Sequence, residues 1–356
     1  MLKAVQIQNK VLQIPIIQGG MGIGVSLSGL AKAVCKEGGM GVISAAMPGF
    51  REPDFEKDPI QANIRALQKE IRMVKEEVPN GFLGVNVMVA SRHYETYVKA
   101  SIDAGADAIL SGAGLPLELP KTVQNKALMA PIVSSARACR LICRRWDTHH
   151  QCAPDFVIVE GAEAGGHLGF KLPDLENDRC QSLEEIVAEV KKELKPFEEK
   201  YRKTIPVFAA GGIFTYEDIL HVIKAGADGV QIATRFIATK ECDAHPAFKQ
   251  MIIRARKEDI GYVKSPAGFP GRAIQNAFVK KHKGKLNQRV ENCLGCMIPC
   301  HWQDTPYCIT RALIRAVQGD TENGLFFTGA NAYKISEISD VHTVMSSLQG
   351  LGKETR

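Results

Sequence analysis

Short apolar runs alternate with amphipathic stretches from residue 11 to residue 240. Continuous apolar runs are typical of strands buried on both faces, and apolar residues three or four apart are typical of helices. The eight predicted strands are residues 14–18, 40–44, 84–89, 108–111, 131–134, 156–160, 207–210 and 230–232. The predicted helices include residues 27–37, 58–75, 94–104, 182–193 and 216–225. The sequence therefore predicts an α/β protein.

Two of these helices end in the same tetrapeptide, Ala-Gly-Ala-Asp, at residues 104–107 and 225–228. A glycine in this place supplies the left-handed turn that ends a helix, and its recurrence is typical of repeated βα units. Eight strands in sequence order, with helices between them, predict a closed (β/α)₈ barrel of the TIM type. An open α/β sheet is the alternative.

The pattern changes after residue 240. Residues 241–330 are rich in Gly, Pro and Cys and show no βα alternation, whereas residues 334–349 have the pattern of one amphipathic helix. We therefore expect a barrel of residues 1–240, an appended irregular segment of residues 241–333 that contains cysteines, and a C-terminal part of residues 334–356. The helix of this last part should pack back on the barrel.

The composition is that of a globular enzyme, with 45% hydrophobic and 24% charged residues. No apolar run could cross a bilayer and no secretion signal begins the chain, so we expect a cytoplasmic protein without a membrane partner. The net charge of +6 is spread over helices, which argues against a nucleic-acid partner. Ten cysteines in such a chain favour reduced thiols or bound metal over disulfides.

Glycine and polar residues stand at the ends of the predicted strands, where barrel enzymes place their active sites. These candidates for ligand binding are Gln18, Gly19, Gly20, Met21, Asn86, Ser134, Glu160, Gly165, Gly166, Gly211, Gly212, Gln231, Ile232, Ala233 and Thr234. The loops after strands seven and eight of a barrel commonly bind phosphate, because glycines let backbone N–H groups converge on its oxygens. The same glycines could also serve only to turn the chain.

His167 is the candidate catalytic residue. It stands between Gly166 and Gly169, in a loop that we expect to be too small to bury an imidazole, so the ring should face a pocket. Because histidine titrates near neutral pH, it can take a proton from a weak carbon acid or donate one to an enolate. We interpret the other eight histidines as structural, and His245 is the next candidate among them.

Taken in order, four motifs resemble the nitronate monooxygenase family, formerly called 2-nitropropane dioxygenases, which also contains flavin-dependent enoyl-acyl-carrier-protein reductases. The motifs are residues 15–21, 160–169, 209–213 and 226–236. The resemblance implies a barrel that binds FMN, with His167 as the catalytic histidine. The residues implied to contact the flavin are Asn86, Glu160, Gly165, Gly212 and residues 231–234.

The resemblance leaves the reaction open. A nitronate oxidase would pass electrons from an alkyl nitronate or a related carbanion to flavin N5. An enoyl-thioester reductase would act on an acyl thioester, with NAD(P)H or an external one-electron donor. Residues 265–276 resemble the reductases, whereas residues 306–309 and 329–333 resemble members labelled nitronate monooxygenase. A flavin or cluster sensor without turnover is the third alternative, and we expect a homo-oligomer in each case.

Four cysteines lie within sixteen residues, at Cys293, Cys296, Cys300 and Cys308. Three closely spaced thiols with a fourth nearby suit a four-iron cluster, whereas zinc ribbons usually carry two separated pairs. Zinc and plain buried thiols are the alternatives, and His301 could replace one ligand. Residues 292–300 resemble the cluster loop of the flavin and iron–sulfur 2,4-dienoyl-CoA reductases. Because a cluster passes single electrons, its presence would favour a reductase.

Overall fold

A closed barrel of eight parallel strands forms the body of the protein, whose computed structural model describes residues 2–351. An antiparallel hairpin, which the sequence did not predict, precedes it: β1 (Val5–Ile7) and β2 (Lys10–Leu12). The first six barrel strands are β3 (Ile16–Gln18), β4 (Met40–Ser44), β5 (Phe82–Met88), β6 (Ala108–Gly112), β7 (Leu128–Val133) and β8 (Val157–Glu160). The two-residue β9 (Gly166–His167) lies outside the barrel, and β10 (Val207–Ala210) and β11 (Gly229–Ile232) complete it.

The last barrel strand pairs with the first, which confirms the closed barrel and excludes the open sheet. β11 runs parallel to β3, with Gln231 opposite Ile17. Each predicted strand coincides with a barrel strand, but the fifth begins earlier than expected, at Leu128. Proline usually starts a strand because it lacks an N–H donor. Pro131 instead stands inside β7, opposite Ser111 of β6.

Helices surround the barrel and follow its strands. They are α1 (Ser28–Lys36), α2 (Pro59–Glu77), α3 (Tyr94–Asp103), α4 (Leu119–Val123), α5 (Ala136–His150), α6 (Leu172–Glu176), α7 (Leu183–Tyr201), α8 (Tyr216–Lys224) and α9 (Thr234–Ile237). One apolar layer packs between strands and helices, and a second fills the barrel, where the Phe156 and Phe208 rings meet edge to face. Within residues 2–351 we find no helix long and apolar enough to span a bilayer.

The segment after the barrel is more regular than the sequence predicted. It contains α10 (Pro246–Arg254), β12 (Ile260–Lys264), β13 (Pro270–Ile274), α11 (Ala277–His282) and α12 (Ile309–Val317). The expectation of an irregular segment throughout 241–330 was therefore wrong. These elements are short, so they depend on packing against one another and against the rest of the chain. β12, β13 and β9 form an antiparallel sheet, which ties this segment to the loop after β8.

The C-terminal helix also begins later than predicted. The structure has α13 at Val341–Leu348, capped by the Asp340 side chain, which accepts a hydrogen bond from Thr343 N at 2.9 Å. Before it, Ser339 N donates to Ala238 O at 2.9 Å, so the chain here runs alongside the end of the barrel. α13 packs against α1, α8 and α9. Residues 352–356 of the predicted C-terminal part lie outside the described residues.

Candidate active site

A cavity opens where the barrel strands end, and it brings together most of the predicted site. Its lining includes these predicted residues: Gly19, Gly20, Met21, Asn86, Glu160, Gly165, Gly166, His167, Gly211, Gly212, Gln231, Ile232, Ala233 and Thr234. They come from five separate strand ends, which meet only because the parallel strands close into a barrel. The cavity therefore lies at the end of the barrel where barrel enzymes bind their ligands.

Two predicted contacts, Gln18 and Ser134, are not among the lining residues. The Gln18 side chain is fully buried and is used within the protein: its Nε2 donates to Gly19 O, and its Oε1 accepts from Val42 N at 3.0 Å. Ser134 follows β7 and places its Oγ against Gly169 instead. Gln18 therefore holds the loop that lines the cavity, and its side chain does not face a ligand.

Glycines let the walls of the cavity approach one another closely. A Cβ on Gly20 would stand 2.4 Å from Asn86 Cβ, and one on Gly165 would stand 2.5 Å from the carbonyl carbon of Thr328. Gly211 and Gly212 have φ values of +95° and +79°, which side chains rarely allow. These positions need glycine for the fold of the rim, and the exposed backbone that results can reach a ligand.

His167 is enclosed by residues from the appended segment. Its strand, β9, pairs with β13, and its Nε2 lies 2.7 Å from the Oγ of the buried Ser265. The rings of Phe327 and Phe269 meet the imidazole edge to face, with centroids 5.2 and 6.3 Å away. The ring is half-buried and lines the cavity, as expected, but the partners that surround it come from about 100 to 160 residues further along the chain.

Burial changes the charge of two groups in the cavity. Desolvation lowers the pKa of His167 to about 4, so the ring is neutral at neutral pH and does not titrate there as we expected. Desolvation also raises the pKa of Glu160 to about 8, so its carboxyl group is mostly protonated at neutral pH. Both groups can therefore act as neutral hydrogen-bonding partners for a ligand.

Two buried oxygens at the cavity have no hydrogen-bond partner within residues 2–351: Gln231 Oε1 and Thr328 Oγ1. Leaving a buried polar atom unpaired costs about 1–3 kcal/mol, and native proteins rarely do so without a reason. Both residues line the cavity. A bound ligand with hydrogen-bonding groups would satisfy them.

One wall of the cavity, formed by residues 327–331, was not predicted from the sequence. Gly329 N donates to Thr234 Oγ1 at 3.0 Å, and Asn331 Nδ2 donates to Gly212 O at 2.6 Å. The segment thus binds to both loops that we expected to hold phosphate. The family resemblance of residues 329–333 was the available signal, but nothing in it indicated a place in the site.

Two other histidines considered from the sequence, His245 and His301, are not among the residues that line the cavity. His245 caps α10, where its Nδ1 accepts from Ala247 N at 3.1 Å. His301 is exposed. In the part of the chain that the structure describes, no three His, Cys, Asp or Glu side chains are placed to hold a metal ion, and this includes the four clustered cysteines.

A glycine-lined cavity at the strand ends, with a neutral imidazole and unpaired buried oxygens, suits an enzyme that binds its ligand there. As its family shows, this enzyme is a flavin-dependent oxidoreductase. More particularly, the chain belongs to the nitronate monooxygenase family, whose family model matches residues 4–350.

Relatives and solved structures agree with this assignment. The chain is 24% identical over 360 residues to a probable nitronate monooxygenase of Bacillus subtilis (strain 168), with 94% of each chain covered. It is similar to the structure of FabK from Thermotoga maritima, with 28% identity, a TM-score of 0.71, and 97% of this chain and 94% of that chain covered. Nitroalkane oxidase from Streptomyces ansochromogenes has the same fold, at 21% identity, a TM-score of 0.69, and coverage of 96% and 97%.

Proposed function

We propose that this enzyme is an FMN-dependent oxidoreductase that oxidises alkyl nitronates or related carbanionic substrates. The observation that carries the proposal is the neutral, enclosed imidazole of His167 at the cavity. A base with a pKa of about 4 removes a proton from a weak carbon acid inefficiently at neutral pH. A nitronate has already lost that proton, so it needs a hydrogen-bond donor and not a strong base.

The contact with Ser265 favours one nitrogen of His167 as the donor to a substrate. Ser265 Oγ accepts a hydrogen bond from Ala267 N at 3.1 Å and lies 2.7 Å from His167 Nε2, so its O–H can donate to that nitrogen. A neutral imidazole that accepts at Nε2 carries its proton on Nδ1. We infer that the Nδ1–H group orients the substrate by a hydrogen bond to an anionic oxygen.

The residues at the strand ends fit FMN. Gly211, Gly212, Ala233 and Thr234 form the two loops suited to its phosphate, and Gln231 Oε1 offers an unpaired acceptor beside them. When bound, FMN supplies the two-electron acceptor at its N5. Residues 327–331 cover both phosphate loops, which favours the mononucleotide over a dinucleotide that would have to extend beyond them.

Apolar side chains complete the cavity and exclude water from it. Met88, Ile132, Leu313 and Phe327 all line it. Such walls suit the alkyl part of a nitronate, and they strengthen each hydrogen bond made inside by lowering the local dielectric constant.

The second candidate is an enoyl-thioester reductase that uses NAD(P)H or an external one-electron donor. The observation in its favour is the likeness to FabK, at 28% identity over 97% of this chain, against 21% for the nitroalkane oxidase. In such a reaction the same Nδ1–H group would hold the thioester carbonyl oxygen.

Anaerobic mixing separates the two reactions. The flavin-loaded enzyme should lose its oxidised-flavin absorbance with propyl 2-nitronate and react much more slowly with neutral 2-nitropropane. Replacing His167 by Ala should leave the flavin content unchanged and lower turnover about 100-fold. His245→Ala, which alters a histidine away from the cavity, is the matched control.

The result that would overturn the proposal is equally specific. Reduction of a crotonyl thioester by NAD(P)H, without any reaction with nitronates, would establish the second candidate in its place. Inertness to both substrates with flavin bound would favour a sensor. Extraction of FAD in place of FMN would contradict the proposed cofactor.

A further inference from the structure

The four clustered cysteines lie in or at the end of residues 283–308, which we call the cysteine segment. It connects α11 to α12 and carries isolated β-bridges but no helix or strand. It docks on the chain that follows β5: Arg92 N donates to Cys296 O at 3.1 Å, and Ile298 N donates to Ala90 O at 2.9 Å. The segment is therefore fixed to the end of the strand that carries Asn86.

Donor groups lie against two of the four sulfur atoms. Gly295, at φ +59°, turns the chain so that its N–H donates to Cys293 Sγ at 3.4 Å. Thr310 Oγ1 donates to Cys296 Sγ at 3.1 Å. Cys308 stands at the N-cap position of α12, without a side-chain capping hydrogen bond. Hydrogen-bond donors to sulfur stabilise thiolates and are typical of the surroundings of metal–thiolate centres.

The four thiols also lie within electrostatic range of one another. Cys296 interacts electrostatically with Cys308, Cys300 and Cys293, so the four side chains are neighbours in space as well as in sequence. Cysteine thiolates are the ligands that hold iron–sulfur clusters.

We propose that Cys293, Cys296, Cys300 and Cys308 bind a four-iron iron–sulfur cluster. Each Fe–Sγ bond replaces an S–H bond, so assembly releases the thiol protons to solvent and leaves the thiolates bound. The sulfur atoms have to move closer together for this. The cysteine segment can allow it because no helix or strand within it has to break.

The place of the segment favours a redox cluster over a structural zinc ion. Cys296 and Cys300 pack against the same apolar cluster as Met88, Phe269 and Phe327. Met88 and Phe327 line the cavity. A cluster here would lie about one layer of side chains from the flavin site, within reach for the transfer of single electrons. The tight spacing of the first three thiols also differs from the separated pairs of zinc ribbons.

Metal analysis of the full-length protein tests the proposal directly. The protein should be purified without air, reconstituted with equal amounts of ferrous and ferric iron and with sulfide, and desalted. We expect about four iron and four sulfide per chain, and an electron paramagnetic resonance signal after reduction by dithionite. Cys308→Ser and Cys296→Ser should lose most of this iron. Cys180→Ser, which changes a half-buried cysteine beside α6, should keep it.

Flavin content per chain is measured in the same samples, so loss of the cluster can be distinguished from loss of the fold. Iron below about half an equivalent in flavin-loaded parent protein would overturn the proposal, and this holds even if the variants fail to fold. Stoichiometric zinc in place of iron would overturn it too. So would full iron content in Cys308→Ser and Cys296→Ser.

Discussion

The imidazole of His167 and the hydroxyl of Ser265 meet at 2.7 Å, although His167 follows a barrel strand and Ser265 follows β12, a hairpin strand of the appended segment. The barrel thus supplies the candidate catalytic group, and the segment outside the barrel orients it. The two parts of the chain have to be considered as one active site.

Removing the Ser265 hydroxyl should impair catalysis without loss of flavin. In Ser265→Ala, His167 Nε2 loses its partner, so the ring is free to rotate and to move its proton between the two nitrogens. We expect kcat/KM for a nitronate to fall about tenfold, with its pH dependence altered. Steady-state kinetics across pH 5 to 9 measure both effects.

Ser265→Thr is the matched control, because it keeps the hydroxyl group. It should restore most of the activity and the original pH profile. Equal losses in the two variants would show that Ser265 acts only through packing and through its hydrogen bond with Ala267 N.

The raised pKa of Glu160 predicts a pH-dependent stability. From its ordinary value of 4.5 up to about 8, the folded protein keeps the Glu160 proton that the unfolded chain loses, so raising the pH through this window favours unfolding. Glu160→Gln removes the effect. In flavin-free protein we expect the variant to melt about 5 °C higher than the parent at pH 8.

Thermal melts at pH 5 and pH 8 provide the comparison. The advantage of Glu160→Gln should shrink at pH 5, because Glu160 is then protonated in the folded protein and already about one-quarter protonated in the unfolded chain. An advantage of the same size at both pH values would mean that titration of Glu160 is not its cause.

Gln231 allows a test in which stability and binding change in opposite directions. Its Oε1 is buried without a partner in the described chain, so Gln231→Met should leave flavin-free protein as stable as the parent or more so, by about 1 kcal/mol. If this oxygen accepts from the flavin, the same variant should bind FMN about tenfold more weakly. Denaturant unfolding and flavin titration measure the two effects, and unchanged FMN affinity would remove Gln231 from the site.

Gly20 and Gly19 form a matched pair on one loop. A Cβ at Gly20 would stand 2.4 Å from Asn86 Cβ, whereas one at Gly19 would have its nearest neighbour, Ala233 Cβ, at 3.2 Å. Gly20→Ala has to displace β5 or the loop, so it should lower the flavin content of purified protein about tenfold. Gly19→Ala should lose much less. The reverse order would contradict the proposed packing of the loop.

The barrel could be predicted because its signals are local. Runs such as residues 207–210 are apolar throughout, as expected for strands buried on both faces, and their order along the chain is their order in the barrel. Because barrel enzymes place their active sites at strand ends, Gly211 and Gly212 could be predicted to line the cavity, and they do.

The features that the sequence did not reveal depend on distant contacts. Gln18 carries a polar side chain at a strand end, but a hydrogen bond with Val42 N keeps it inside the protein. The low pKa of His167 arises from burial by residues much further along the chain. α13 begins at Val341 and not at residue 334 because Ser339 pairs with the end of the barrel, and that contact outweighs the local helical pattern.

The wall formed by residues 327–331 has a consequence for the order of events during synthesis. Gly19 and Asn331 face the same cavity from distant parts of the sequence. All eight barrel strands emerge from the ribosome before that wall has been translated. A nascent barrel would therefore present an open, glycine-lined rim, and the flavin site is complete only once residue 331 has emerged and bound Gly212.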